Sequence, residues 1–444
     1  MQSTDPHPRA ARPAPAQRTS PGRRLRQALT AAIVAVPLVL GAAACSGEDE
    51  GTTVEFFWWG GDARATMTQQ ALDLYQSKHP DVKINATWQT FDGYYDKLAT
   101  IAGGGNAPDI FQIDDNGLAE YAGRNVTLDL TPYVASKKLD LSNHYEGLTA
   151  YGQIDGKQVA VATGENTPAV IYDKTKLAEL GVDEPKEGWT YDEYITWAAS
   201  VTEKSGGEYY GTMDPSSDYK ALWLWLRAQG KEFYNGTQLA FTQEDLTAWF
   251  TLWQQAREKG ATPPADVVHE AVTGSVDTQL VVSGKAATSF MWSNQLAELG
   301  KATENELAMV PYPGDLKGQW ARASTYWAGS RATDHPEVVA DIINFLTNDP
   351  EAGAILGTDR GLPPNKATRA AVESAQTDPY AKATFVFENG MADKFGPAPA
   401  PPPKGHSGLR NTLRDIAESV TYGTATPADA AAQFFTEATA ALSG

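Results

Sequence analysis

The stretch that most constrains this chain is Val54-Glu55-Phe56-Phe57-Trp58-Trp59-Gly60-Gly61-Asp62-Ala63-Arg64. Val54 to Trp58 is β-branched and aromatic, as expected of a strand buried on both faces. Gly60 and Gly61 read as a sharp turn that ends it. From Ala63, apolar or part-apolar residues recur at Met67, Ala71, Leu74, Tyr75 and Lys78, which is helical spacing. The pattern then repeats. His79-Pro80-Asp81 is a turn, Val82 to Trp88 alternates like a second strand, Tyr94 to Ile101 is a second helix and Ile110 to Ile113 a third strand. Such a βαβαβ order predicts an α/β fold with a parallel sheet and right-handed crossovers. The C-terminal ends of its strands would carry Trp58-Trp59, Gln89-Thr90 and Asp114-Asp115-Asn116 on one rim, where ligands bind in such sheets.

The first 44 residues lie before the fold. Six arginines between Arg9 and Arg26 make a basic leader, and Ala28 to Ala44 is an apolar, alanine-rich run with small residues at its end. That is the pattern of a secretory signal, too short for a good membrane span. Cys45, the single cysteine, follows directly, with a polar tether to residue 53. This arrangement resembles the lipobox of bacterial lipoproteins, which implies a lipidated Cys45 and a protein held on the outer face of the cell membrane. It departs from that motif in having Ala42 where leucine is usual.

Removing residues 1–44 takes away six arginines and one aspartate, leaving 30 basic and 54 acidic residues, a net charge near −24. So acidic a chain is unsuited to nucleic acid or anionic lipid, both of which need basic patches. No disulfide is possible within it, and about 400 residues suffice for two domains with cores of their own.

Further along, Gly152 to Lys157 reads as a hairpin turn, and Val159 to Thr163 and Ala169 to Tyr172 read as strands. Between these strands, Gly164-Glu165-Asn166-Thr167-Pro168 is a polar break where the chain could pass to a second lobe. Thr190 and Glu193 form a capping box opening a helix. Leu222 to Ala228, Leu246 to Glu258, Asp334 to Leu346 and Asp429 to Leu442 read as helices, Gly353 to Leu356 as the start of another, and Gly284 to Trp292 as a turn into a buried strand.

Several stretches resemble the family 1 extracellular solute-binding proteins, the ligand-capturing lipoproteins of bacterial ABC importers, especially the carbohydrate branch. They are FWWGGDARATMTQQALDLYQSKHPDVKI (56–84), YYDKLATIAGGGNAPDIFQID (94–114), AVIYDKTKLAELGV with WTYDEY (169–194), FMWSNQ (290–295) and the long segment 324–366. The resemblance implies a two-lobed periplasmic-binding-protein-like fold with a hinge and an interlobe ligand cleft. Its lobes would be residues 54–164 plus 325–366 and 165–324 plus 367–444. It also implies a monomer that binds a mono- or oligosaccharide, closes by hinge motion and docks on ABC permease subunits. No cofactor and no catalysis are expected.

The expected ligand contacts follow from the residues and from that resemblance. Trp58 and Trp59 alternate across a strand, so one faces the cleft, and Trp59 is favoured. An indole offers a flat, weakly negative face to the C–H bonds of a pyranose. Asp114, Asp115 and Asn116 can hydrogen-bond vicinal hydroxyls, and Gln89 ends the neighbouring strand. Asp62 sits at a helix start, a position that suits a carboxylate in its own right. Glu165 and Asn166 lie at the lobe crossing, where the family has ligand contacts. Trp292 matches a position that commonly stacks on sugar, and Trp327 is similarly placed. Trp223, in a helix aromatic on several sides, and Arg360 complete the set.

Enzyme signatures are wanting: His269-Glu270 lacks a second zinc-binding histidine, Gly103-Gly104-Gly105 lacks the rest of a phosphate loop, and no Gly-x-Ser-x-Gly occurs. A glycoside hydrolase needs only two carboxylates and is one alternative. The same fold carrying a polyamine, a peptide or a polyol phosphate is the other.

Overall fold

The computed structural model describes residues 51–91, 93–273 and 275–442. The expected signal and lipidation segment, Cys45 included, lies outside the described residues. The opening pattern is realised as β1 (Thr52–Trp59), α1 (Asp62–Lys78), β2 (Val82–Gln89), α2 (Tyr94–Gly103), β3 (Ile110–Ile113) and α3 (Asp115–Gly123). β1 pairs in parallel with both β2 and β3. Strand Tyr326–Gly329 joins antiparallel beside β3, and the short Val161–Ala162 closes the far edge. Only these two residues of the expected strand 159–163 pair.

Period-two alternation decides where β1 sends its side chains. Val54, Phe56 and Trp58 enter one apolar cluster with Leu72, Tyr75 and Ile343. Phe57 and Trp59 enter another, which continues through Tyr94 and Tyr151 to Trp223 and Trp253. Gly60 and Gly61 end β1 as expected, but without left-handed backbone; Gly61 has φ −88°. Gly60 is required instead by close approach, since a Cβ there would lie 2.4 Å from the Arg64 side chain.

A second, antiparallel sheet centres on Pro168–Asp173, flanked by Thr288–Trp292 and Leu307–Pro311. Helices surround it, among them Tyr191–Lys204 with the expected Thr190/Glu193 capping box, Tyr219–Ala228, Gln243–Glu258, Pro379–Met391 and His406–Thr421. The helix expected to begin with Gly353 to Leu356 starts three residues earlier and stops at Leu356: it spans Pro350–Leu356, because Asp349 caps its first turn and Gly357, at φ +55°, stops it.

Three passes of the chain run side by side between the two sheets. Glu165–Asn166 pairs with Arg322–Ala323, and Glu165 also exchanges backbone hydrogen bonds with Leu362 (2.7 and 2.9 Å). A Cβ on Gly164 would meet the Arg360 carbonyl oxygen at 2.1 Å, and one on Gly361, at φ +94°, the Glu165 carbonyl oxygen at 2.3 Å. Glycine is the residue that lets these backbones touch. Glu165, expected to contact ligand, is instead buried in an ion pair with Arg369.

Candidate ligand-binding site

The rim of the first sheet and the end of strand Thr288–Trp292 meet at one polar seam. On the first-sheet side Trp59 contacts Phe91, Tyr94 and Tyr95, with ring centroids 4.9–5.9 Å apart. The Tyr95 hydroxyl donates to Asp114 Oδ1 at 2.6 Å. Asp114 is the N-cap of α3, accepting from the backbone N–H groups of Asn116 and Gly117 at 3.2 Å and from the Asn116 side-chain amide at 2.7 Å. An aspartate satisfies the free N–H groups of a first turn in this way.

Asp115 points the other way. Its carboxylate takes a two-point ion pair from Arg322, with Nε–Oδ2 at 2.7 Å, and both side chains are buried. Burial disfavours the Arg322 charge, but Asp115 more than offsets that and keeps it well above its ordinary pKa. The guanidinium also lies 4.5 Å from the centre of the Trp292 ring, and Lys220 Nζ lies 4.8 Å from it. Contacts therefore run Trp59–Tyr95–Asp114 and Asp115–Arg322–Trp292, the two joined by the backbone between Asp114 and Asp115.

Helix His406–Thr421 closes the seam from a third side. Ser407 Oγ reaches the Asn116 carbonyl at 3.5 Å, and Arg410 lies over the Tyr219 ring at 4.8 Å. Burial pushes the His406 imidazole down to about 3, so it is neutral, with Nδ1 2.7 Å from the Tyr234 hydroxyl. Asn116 Oδ1, Asn166 Oδ1, His406 Nε2 and Arg410 Nε are buried with no protein partner. Buried atoms away from the seam, Trp58 Nε1 and Arg360 Nη1 among them, also lack a hydrogen-bond partner, so the feature marks the seam only together with its other groups. Beside Trp292 a cavity of about 390 Å³ is lined by Lys220, Arg410 and Arg414 among others.

The expected residues separate into two groups. Trp59, Asp114, Asp115, Asn116 and Trp292 come together at the seam, and Asn166 lies at the crossing, its amide 3.2 Å from Asn294. Gln89 ends β2 half-buried opposite Trp59, and Asp62 stands exposed on the same rim beside Trp88. Trp58, Trp223, Trp327 and Arg360 are interior instead. Trp58 and Trp327 both pack on Phe56. Trp223 is wedged against Phe233 and Trp320. Arg360 braces the sheet, bonding Gln112 at 2.9 Å and Thr68 at 3.0 Å beneath the Trp327 ring. Phe91, Tyr95, Lys220, Arg322 and Arg410 were not anticipated. The tandem aromatics at 94–95 and the arginines of helix His406–Thr421 were the available signals; nothing near Trp292 in the sequence points to Lys220 or Arg322.

Two α/β layers joined by three adjacent passes, with a polar and aromatic seam between them, define a two-lobed binding protein. The bacterial extracellular solute-binding protein family matches residues 70–383, and the chain belongs to that family. It is 27% identical over 202 residues to the diacetylchitobiose binding protein DasA of Streptomyces coelicolor, covering 41% of this chain and 45% of that one. The chain spans about half the length of the curated relatives it matches. Among solved structures it resembles a family 1 extracellular solute-binding protein of Alicyclobacillus acidocaldarius (27% identity, 89% of this chain and 99% of that one, TM-score 0.72). It also resembles an ABC substrate-binding protein of Listeria monocytogenes in complex with cycloalternan (20% identity, 88% and 99% covered, TM-score 0.74).

Proposed function

We propose that this protein captures a saccharide at the seam between its lobes and delivers it to an ABC permease, without altering it. The observation that carries this reading is the series of contacts from Trp59 to Trp292. It sets indole rings from both sheets, Trp59 and Trp292, near the carboxylates that follow β3 and the Asn116 amide beside them, the combination that suits the C–H face and the hydroxyls of a sugar. The carbohydrates of the two relatives, diacetylchitobiose for DasA and cycloalternan for the Listeria protein, support the same class of ligand. We take residues 54–164 plus 325–366 as one lobe and 165–324 plus 367–444 as the other, because the adjacent passes at Gly164, Ser324 and Gly361 fall near those limits. Closure would be a hinge motion about these passes. The protein would work as a monomer.

Replacing Trp292 by alanine should weaken saccharide binding at least tenfold in calorimetric titration while leaving the unliganded melting point nearly unchanged. Undiminished affinity would remove Trp292 from the site. A hydrolase would consume the sugar, so the ligand should be recovered intact after incubation.

Retention at the membrane is assigned to lipidated Cys45. One acyl chain holds a protein only marginally, so two or more are needed for lasting attachment. The Cys45→Ala protein should appear in the medium. Its persistence on the cell surface would argue against the anchor.

A further inference from the structure

Resting on the capture reading, we infer that the preferred cargo is an acidic sugar, with Arg410 binding its anionic group. Of the described arginines, only Arg331 and Arg410 have no carboxylate oxygen within 4.0 Å. Arg331 is exposed to water. Arg410 is half-buried, lines the cavity beside Trp292, and has its Nε buried without a hydrogen-bond partner. Its guanidinium touches no carboxylate directly, although Asp114 and Asp115 lie near enough to favour its charge.

The other cations of the cavity are already matched. Lys220 is held by Asp218 at 2.6 Å and Arg414 by Asp415 at 3.1 Å. Arg322, just behind, is matched by Asp115. Arg410 alone among them has no carboxylate in direct contact, Asp114 and Asp115 acting on it only from a distance. Its planar fork fits a carboxylate or phosphate through two parallel N–H···O bonds. Stacking of its carbon plane on Tyr219, 4.8 Å away, fixes its orientation. At about 390 Å³ the cavity lies at the lower end of the range of roughly 300–1,000 Å³ occupied by small-ligand sites, a size suited to one or two sugar rings.

The test is calorimetric titration of the full-length protein with matched pairs: digalacturonate against neutral galactobiose, and glucose 6-phosphate against glucose. The inference predicts that the acidic member of at least one pair binds tenfold or more tighter than its neutral partner. The pair that responds tells carboxylate from phosphate. Added salt should weaken that binding. Arg410→Gln should abolish the preference, and Arg410→Lys, which keeps the charge but loses the fork, should retain part of it. The melting point of each unliganded variant confirms folding. Equal or tighter binding of neutral sugars, or a preference that survives Arg410→Gln, would overturn the acidic specificity and leave saccharide capture standing. Failure of every sugar, neutral ones included, would overturn both.

Discussion

Glu388 is the buried residue whose chemistry makes the sharpest prediction about stability. It projects from helix Pro379–Met391 and accepts hydrogen bonds from the Thr167 backbone N–H (3.0 Å), the Thr167 hydroxyl (2.7 Å) and the Ser293 hydroxyl. Burial raises its carboxyl pKa from an ordinary 4.5 to about 8, with the nearby Glu165 charge adding to the effect and Arg369 opposing it. The folded protein therefore binds more protons than the unfolded chain between those two values. The corresponding stability is fully present below about pH 4.5 and is lost as pH rises through 8. Glu388→Gln, a neutral amide of similar shape, should remove this slope. Its urea midpoint relative to wild type should rise steadily from pH 5 to pH 8.5. Parallel profiles would show that Glu388 is ionised throughout. The sequence gives no sign of this residue's environment, since Thr167 and Ser293 lie 221 and 95 positions away. The same limit hid the Asp115–Arg322 pair, whose partners are 207 residues apart. Trp58 and Trp59 fared better, because strand alternation alone separates the core indole from the rim indole.

At the scale of elements, local signals governed what could be read. The capping box of helix Tyr191–Lys204 is written in four consecutive residues, and the structure forms both halves: the Thr190 hydroxyl accepts from the Glu193 N–H at 3.2 Å and Glu193 Oε2 accepts from the Thr190 N–H at 2.8 Å. Thr190→Ala should cost about 1 kcal/mol of stability, the usual value for a lost N-cap, without affecting ligand affinity. Chemical denaturation measures the first and titration the second. A loss near zero would mean that tertiary packing holds the helix start unaided. Helix His406–Thr421 shows the complementary case. Leu409, Leu413, Ile416 and Val420 are spaced as a helical stripe and are buried, a local signal that the sequence reading did not take up. That its other face carries Arg410 to the seam was not legible, because this depends on the chain returning from almost 300 residues beyond α3.

For the whole molecule, the βαβαβ opening prescribed the parallel half of the first sheet and the rim on which Trp59, Gln89 and Asp114 stand. What it could not prescribe is which residues from 165 onward face that rim. The second sheet returns through Arg322–Ala323 and Tyr326–Gly329, and that return sets Arg322 between Asp115 and Trp292. The three adjacent passes near Gly164, Ser324 and Gly361 are thin compared with the sheets they join. The hinge motion proposed above would also have to adjust the apolar cluster that runs from Trp59 through Tyr151 to Trp223. Ligand bound to both halves should therefore stabilise the fold as a unit.

The most direct test of that account is a thermal-shift screen of the full-length protein against neutral and acidic mono- and oligosaccharides, with amines and peptides as controls. A ligand at 100 times its dissociation constant adds about 2.7 kcal/mol to the folded state, enough to raise the melting point by some degrees. The account predicts such a rise with one saccharide class, recovered unchanged after incubation. A rise with an amine or peptide and none with any sugar would keep a solute-binding protein but contradict saccharide capture.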